Sequence, residues 1–391
     1  MVDHHLFLII ALILLSTKVL AIFMNHIHLP QVVGALIAGL LLGPAGFKLV
    51  EPNSTISVIA EFGVILLMFS AGMETNYRQL RSTLKFSFVI SALGIALALG
   101  GGFLVAFVFG KPSFESFFIG VIIASMSTSI TVEALQEIGK LKTRTGTALM
   151  GASLFDDLFV ITILAVTMNI GTSSFSFLNV TILLLKIVAF FAFAFASGFG
   201  VNKLFNYMYN RFGAKRRLTI FAIAYCFLMA YLAELLGLAD ITGAYIAGIA
   251  LCRTRCVEYL ESRTSGLEYV FFTPIFLANI GINASFEGMT GSLVLFTVML
   301  VAAAILSKLI GCGLGARLCR YTNRESVQIG TGMVARGEVS FIVAAKGIAA
   351  GFISSQLYPS IIVVVLVTVL ISPLLLRAAY AERKTPAVSV K

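Results

Sequence analysis

The chain has 391 residues, of which 59% are hydrophobic and only 12% charged, with a formal net charge of +10. Soluble globular chains carry roughly 25% charged residues, so so low a density along the whole length excludes a sizeable soluble domain. The positive balance does not point to nucleic acid, because the basic residues sit in short loops between apolar stretches, where membrane topology accounts for them.

A bilayer core takes about 20 apolar residues per helix, and on that basis the sequence predicts an all-α membrane protein of about 13 transmembrane helices. The first, about Leu6–Met24, has neither a basic leading region nor a small-residue cleavage site, and is read as a true span and not a signal peptide. The second contains QVVGALIAGLLL at Gln31–Leu42. Its pattern returns as DITGAYIAGIAL at Asp240–Leu251, in the ninth. Gly34, Ala35, Ile37, Ala38, Gly39 and Leu42 match Gly243, Ala244, Ile246, Ala247, Gly248 and Leu251, each 209 positions on. Glu61 to Gly72 echoes Glu268 to Gly281 at a similar offset. The second and ninth spans cross in opposite directions. The sequence therefore predicts inverted repeats, at about residues 1–172 and 218–380, joined by a connector span at about 177–200. Inverted repeats are a mark of secondary transporters.

The fifth span carries Ser125, Ser127, Thr128, Ser129 and Thr131 at its centre. Hydroxyls can satisfy backbone groups where a helix is interrupted, and interrupted helices build ion sites at the bilayer midplane. Glu133 and Glu137 follow the cluster and are expected at a solvated helix end. The sixth span holds the sharpest signal, Asp156-Asp157 in GASLFDDLFVITIL, with no other charge between Arg144 and Lys186. Charge inside a membrane is costly and marks function. Neighbours on a helix diverge by about 100°, so one carboxylate can line a cavity while the other meets an adjacent helix. The same divergence argues against a shared-proton aspartyl dyad of a protease. A buried carboxylate can hold a proton, or release it and bind a cation through oxygen; competition for one site is what an exchanger requires.

Polar stretches at about Lys203–Arg217 and Cys252–Glu268 are expected to be short loops. Lys308 lies near the middle of the eleventh span and needs a counter-charge, for which Asp156 is favoured. The twelfth, TGMVARGEVSFIVAAKGI, is the counterpart of the fifth and places Gly332, Arg336, Gly337 and Glu338 mid-span. Arg336 and Glu338 are expected to form an internal ion pair that fixes the crossing. With the N-terminus outside and the C-terminus inside, nearly all Lys and Arg fall in inside loops, and only Lys48 and Lys111 fall outside.

Phe155-Asp156-Asp157, Lys308, the RGEV of Arg336–Val339 and LPQVVGALIAGLLLGP at Leu29–Pro44 together resemble the bacterial sodium/proton antiporters of the monovalent cation:proton antiporter-2 group. The resemblance covers nearly the whole chain. It implies two crossed discontinuous helices, a core domain that moves like an elevator, a dimerisation domain and a homodimer in the bacterial plasma membrane. It implies that Asp157 binds the ion, that Asp156 pairs with Lys308, that Ser127, Thr128 and Thr131 line the broken fifth span, and that Glu338 supports the crossing. Two aspartates with the lysine resemble the electrogenic members, which drive sodium or lithium out against external protons in salt and alkaline stress. Potassium/proton exchange on the same scaffold, or a transporter-like sensor, is the alternative. No cofactor is expected, and no soluble regulatory domain, since the chain ends soon after Arg377.

Overall fold

The computed structural model describes residues 4–27, 29–171, 177–213, 216–284 and 291–381. These residues form sixteen α-helices and no strand. In chain order they are α1 (His4–His26), α2 (Gln31–Leu42), α3 (Ser54–Glu74), α4 (Tyr77–Val108), α5 (Ser113–Ala124), α6 (Thr128–Glu137), α7 (Arg144–Gly171) and α8 (Phe177–Phe212). Then follow α9 (Arg216–Leu235), α10 (Asp240–Leu251), α11 (Val257–Leu267), α12 (Thr273–Ile282), α13 (Gly291–Leu318), α14 (Asn323–Gly332), α15 (Glu338–Ala349) and α16 (Tyr358–Tyr380). A π-helical segment, Glu268–Phe272, joins α11 to α12 without a break. Ten helical segments among the described residues are long and apolar enough to cross a membrane, with three shorter apolar helices beside them.

Local chemistry sets several helix starts. Asn53 and Asn76 accept hydrogen bonds from the backbone N–H groups of Thr55 and Gln79, opening α3 and α4. Thr322 and Glu325 form a reciprocal capping box at α14. Pro30 has no side-chain cap to offer α2. There the Glu137 carboxylate, from the end of α6, accepts the N–H groups of Gln31 at 2.6 Å and Val32 at 3.2 Å. Glu137 is thus a partly buried cap supplied from another helix and not the solvated end expected from sequence, and Glu133 is buried.

Two further expectations are corrected. The stretch from Lys203 is not a loop, because α8 runs on to Phe212, with Asn202, Asn206 and Asn210 one turn apart along it. Most of the stretch from Cys252 is helix too, as α11 continues directly toward α12.

One bundle packs α4, α5, α7, α13, α14 and α16 together, and a second packs α1, α2, α3, α9, α10 and α12. Helix α8 touches α7 on one side and α9 and α10 on the other. The second bundle is held by glycines. A Cβ at Gly39 would overlap the backbone of Ala278, and one at Gly281 the backbone of Leu36 and Leu40, so α2 and α12 meet backbone to backbone. Gly248 and Gly72 make the same contact between α10 and α3. Gly34 lies on the backbone of Leu20, and Gly243 on that of Met229. Each of these pairs is repeated 209 positions along the chain.

α2 and α10 have 12 residues each. At about 1.5 Å per residue that is about 18 Å, short of a bilayer core of about 30 Å. Most of their residues are buried against protein, which their glycines permit. A Gly248→Ala substitution is expected to cost about 1–3 kcal/mol through overpacking. The check is thermal unfolding of the purified protein beside Gly266→Ala, where nothing lies within 4 Å of the added Cβ and no loss is expected.

Candidate functional site

Both interrupted helices predicted from sequence are interrupted. α5 stops at Ala124 and α6 starts at Thr128; α14 stops at Gly332 and α15 starts at Glu338. The two breaks face each other. Ser127 N–H donates to the carbonyl of Ala335 at 2.9 Å, and Thr131 Oγ1 donates to the carbonyl of Gly332 at 2.7 Å. The hydroxyls of Ser125 and Ser340 lie 2.7 Å apart, and those of Ser127 and Ser129 3.1 Å apart. A Cβ at Gly337 would overlap the Ser127 side chain, so glycine is what lets the strands of backbone cross here. Thr128 Oγ1 is buried and has no hydrogen-bond partner among the described residues.

Arg336 is fully buried at the crossing. Its Nη1 donates to the carbonyls of Met333 at 3.2 Å and Val334 at 2.8 Å, and its Nη2 to Ala304 at 2.7 Å. The guanidinium thus sits on the C-terminal end of α14, where the helix dipole is negative and carbonyls lack helical partners. Its backbone N–H is held by Thr368 of α16 at 3.2 Å. The side chain of Glu338, and with it the expected ion pair, lies outside the described residues.

Asp156 and Asp157, on α7, diverge into different surroundings. Asp156 is wholly buried and points to α13 and α4. Lys308 Nζ lies 2.7 Å from each of its carboxylate oxygens, and Ser91 Oγ donates to Oδ1 at 3.0 Å. Lys308 is equally buried. The close approach of α4 and α13 that brings Ser91 and Lys308 together depends on Gly311, whose Cβ would meet the backbone of Leu93 and Gly94, and on Gly94, whose Cβ would overlap the Cys312 side chain. Asp157 is 5% exposed and turns the other way, toward the second bundle, where Thr242 Oγ1 of α10 donates to its Oδ2 at 3.3 Å. Asp156 is therefore interior to the first bundle, whereas Asp157 lies on the seam between the two.

Ser91 and Thr242 were missed in the sequence. Ser91 is one of many hydroxyls in apolar helices and carries no distinguishing mark. Thr242 carried one: it precedes Gly243 in the repeated motif, where the first copy has Val33. A hydroxyl replacing a valine in an otherwise matching apolar pattern is a signal that could have been used.

No group of three or more His, Cys, Asp or Glu converges among the described residues as a metal centre would require. The available oxygens are one carboxylate at the seam with hydroxyls and carbonyls of the crossing, a donor type suited to hard cations.

A sodium/hydrogen exchanger transmembrane profile matches residues 9–379. The chain belongs to this family. Among similar proteins, the Na(+)/H(+)-K(+) antiporter GerN of Bacillus cereus is 36% identical over 97% of this chain and 98% of its own length. A Na(+)/H(+) antiporter of Enterococcus hirae is 33% identical over 94% and 96% of the two chains. The sodium proton antiporter MjNhaP1 of Methanocaldococcus jannaschii superposes with a TM-score of 0.74, covering 97% of this exchanger and 96% of that chain, at 15% identity. That likeness shows the shared helical fold. Family membership makes the chain a multi-pass membrane transporter of monovalent cations and protons, not an enzyme.

Proposed function

We propose that this exchanger moves sodium (or lithium) out of the cytoplasm against external protons, with Asp157 as the carboxylate that proton and cation share. The observation that carries the reading is the divergence of the two aspartates. Lys308 neutralises Asp156 inside one bundle, while Asp157 faces the seam, where movement of one bundle against the other changes its access. Ser127, Thr128 and Thr131 line the crossing and supply hydroxyl and carbonyl oxygens. Arg336 holds the crossing by its carbonyl contacts, and Glu338 is assigned a supporting role there.

The pairing of Lys308 with Asp156 makes the exchange electrogenic in this reading. If cation binding to Asp157 weakens the pair, the lysine can release its proton, so that more than one proton moves per cation. These residues support a place in the antiporter-2 group. The glycine pairs repeated at an offset of 209 support the inverted halves 1–172 and 218–380 with a connector between them. On that reading there are 13 spans in the bacterial plasma membrane, N-terminus out and C-terminus in, with basic loops facing the cytoplasm. The second bundle is assigned as the dimerisation domain of a homodimer, and the first as the moving core.

Potassium is kept as a second cation because the relative from Bacillus cereus is named for both ions. Proteoliposomes with a pH-sensitive dye, an imposed proton gradient and a clamped potential decide between them. Sodium or lithium is expected to dissipate the gradient, faster when charge is compensated. Dissipation by potassium alone would overturn the sodium assignment, and no proton movement with any cation would overturn antiport itself.

A further inference from the structure

A cavity of about 1050 Å³ lies away from the aspartates. Its walls are α8, α10 and the first turn of α4. That volume is at the upper end of pockets that take small molecules.

Its lining is graded along α8. Phe191, Phe195 and Phe199 recur every four residues and present one aromatic stripe, with Phe195 and Phe199 in edge-to-face contact at 4.9 Å. One turn further, on the same wall, the stripe becomes Asn202, Asn206 and Asn210, and Lys203 joins it. Across the cavity, Arg253 follows α10 and holds its guanidinium 5.4 Å from the ring centre of Tyr77. The amide ladder is ordered: Asn206 donates to Asn202 at 2.8 Å, and the backbone N–H of Arg255 donates to Asn206 at 2.9 Å. No acidic residue lines the cavity among the described residues. Phe195 and Phe199 are each 65% exposed, so the aromatic half opens toward the bilayer.

A site with an apolar trough, a cationic mouth and no carboxylate has the profile of an amphiphile with an anionic head. Basic pockets between helices on the cytoplasmic side suit anionic headgroups. The mouth is formed by the last turns of α8 and the turn after α10, whose basic residues place them on that side in the proposed topology. We propose that this groove is a binding site for an anionic phospholipid, its phosphate between Lys203 and Arg253 with the asparagine amides donating, and an acyl chain along Phe191, Phe195 and Phe199. Since α8 touches both bundles, a lipid seated there ties the connector to α10.

The chain contains no tryptophan, so F199W adds a single fluorescent reporter to the groove of the full-length protein. The protein is reconstituted in phosphatidylcholine bilayers containing a small fraction of brominated phosphatidylglycerol or of brominated phosphatidylcholine. Quenching by the anionic lipid is expected at about tenfold lower mole fraction, from two cationic contacts at the mouth. Adding K203Q and R253Q is expected to remove that preference while leaving quenching by the brominated phosphatidylcholine. Equal quenching by the two lipids in F199W protein would overturn the proposal without any further variant. So would a preference that survives loss of both cations, and R253Q alone, expected to weaken it, carries the comparison if the double change does not fold.

Discussion

Asp157→Asn is expected to reduce cation-driven proton movement in proteoliposomes to the level of protein-free vesicles, with the protein still folded. The amide keeps the volume of the side chain and an oxygen able to accept from Thr242, which now donates at 3.3 Å. It cannot carry a proton on that oxygen at one moment and a cation at the next. Burying a neutral amide is also cheaper than burying a carboxylate, so the melting temperature should not fall. Exchange at the normal rate in this variant would end the assignment of Asp157 as the shared site.

Lys308→Met should have the larger effect on stability. It leaves the Asp156 carboxylate with Ser91 alone in a site with no solvent exposure. Removing one partner of a buried ion pair costs about 3–5 kcal/mol, because the remaining charge stays desolvated. Combining it with Asp156→Asn should recover most of that loss, since no charge is then stranded. Thermal unfolding of the two single variants and the double variant measures the coupling. Additive losses would show that the 2.7 Å contacts contribute little. The milder Lys308→Gln addresses transport: voltage dependence of exchange should shrink or vanish, and unchanged electrogenicity would refute a proton-carrying lysine.

Much of this arrangement was legible because membranes make polar residues conspicuous. A lone lysine in an apolar span demanded a counter-charge, and two adjacent acids without other charge nearby were the candidates. The breaks in both interrupted helices were legible for a related reason, since hydroxyls in one and Gly-Glu with arginine in the other are poor material for a lipid-facing helix. What could not be read was which backbone groups those side chains serve. Arg336 suggests a carboxylate partner in Glu338, whose side chain lies outside the described residues, but nothing in the sequence shows that its Nη1 and Nη2 donate to the carbonyls of Met333, Val334 and Ala304. Carbonyls are present at every residue and leave no trace in composition. Glu137 was misread similarly, because the two N–H groups it caps lie 106 and 105 positions away. The polar run after Lys203 reads as a loop because length and hydropathy mark where a helix leaves the apolar layer, not where it stops.

The glycine contacts have a mechanical consequence. Where α2 meets α12 and α3 meets α10, no side chains intervene, so there are no rotamers to absorb sliding, and packed interiors resist partial deformation. Two such joints at symmetric places make that half of the protein stiff. Contacts across the seam are made by side chains: Thr242 donates to Asp157, Glu137 caps the start of α2, and Leu40 of α2 packs against the cluster of Ile362 and Leu366 on α16. Hydrogen bonds of this sort contribute about 1 kcal/mol each in net terms, little more than thermal energy. Gly311 makes a like contact with the backbone of Leu93 and Gly94 in the first bundle, so backbone-to-backbone joints lie within the halves and adjustable side-chain contacts at the boundary, the distribution of a machine whose parts keep their shape while their joint reseats.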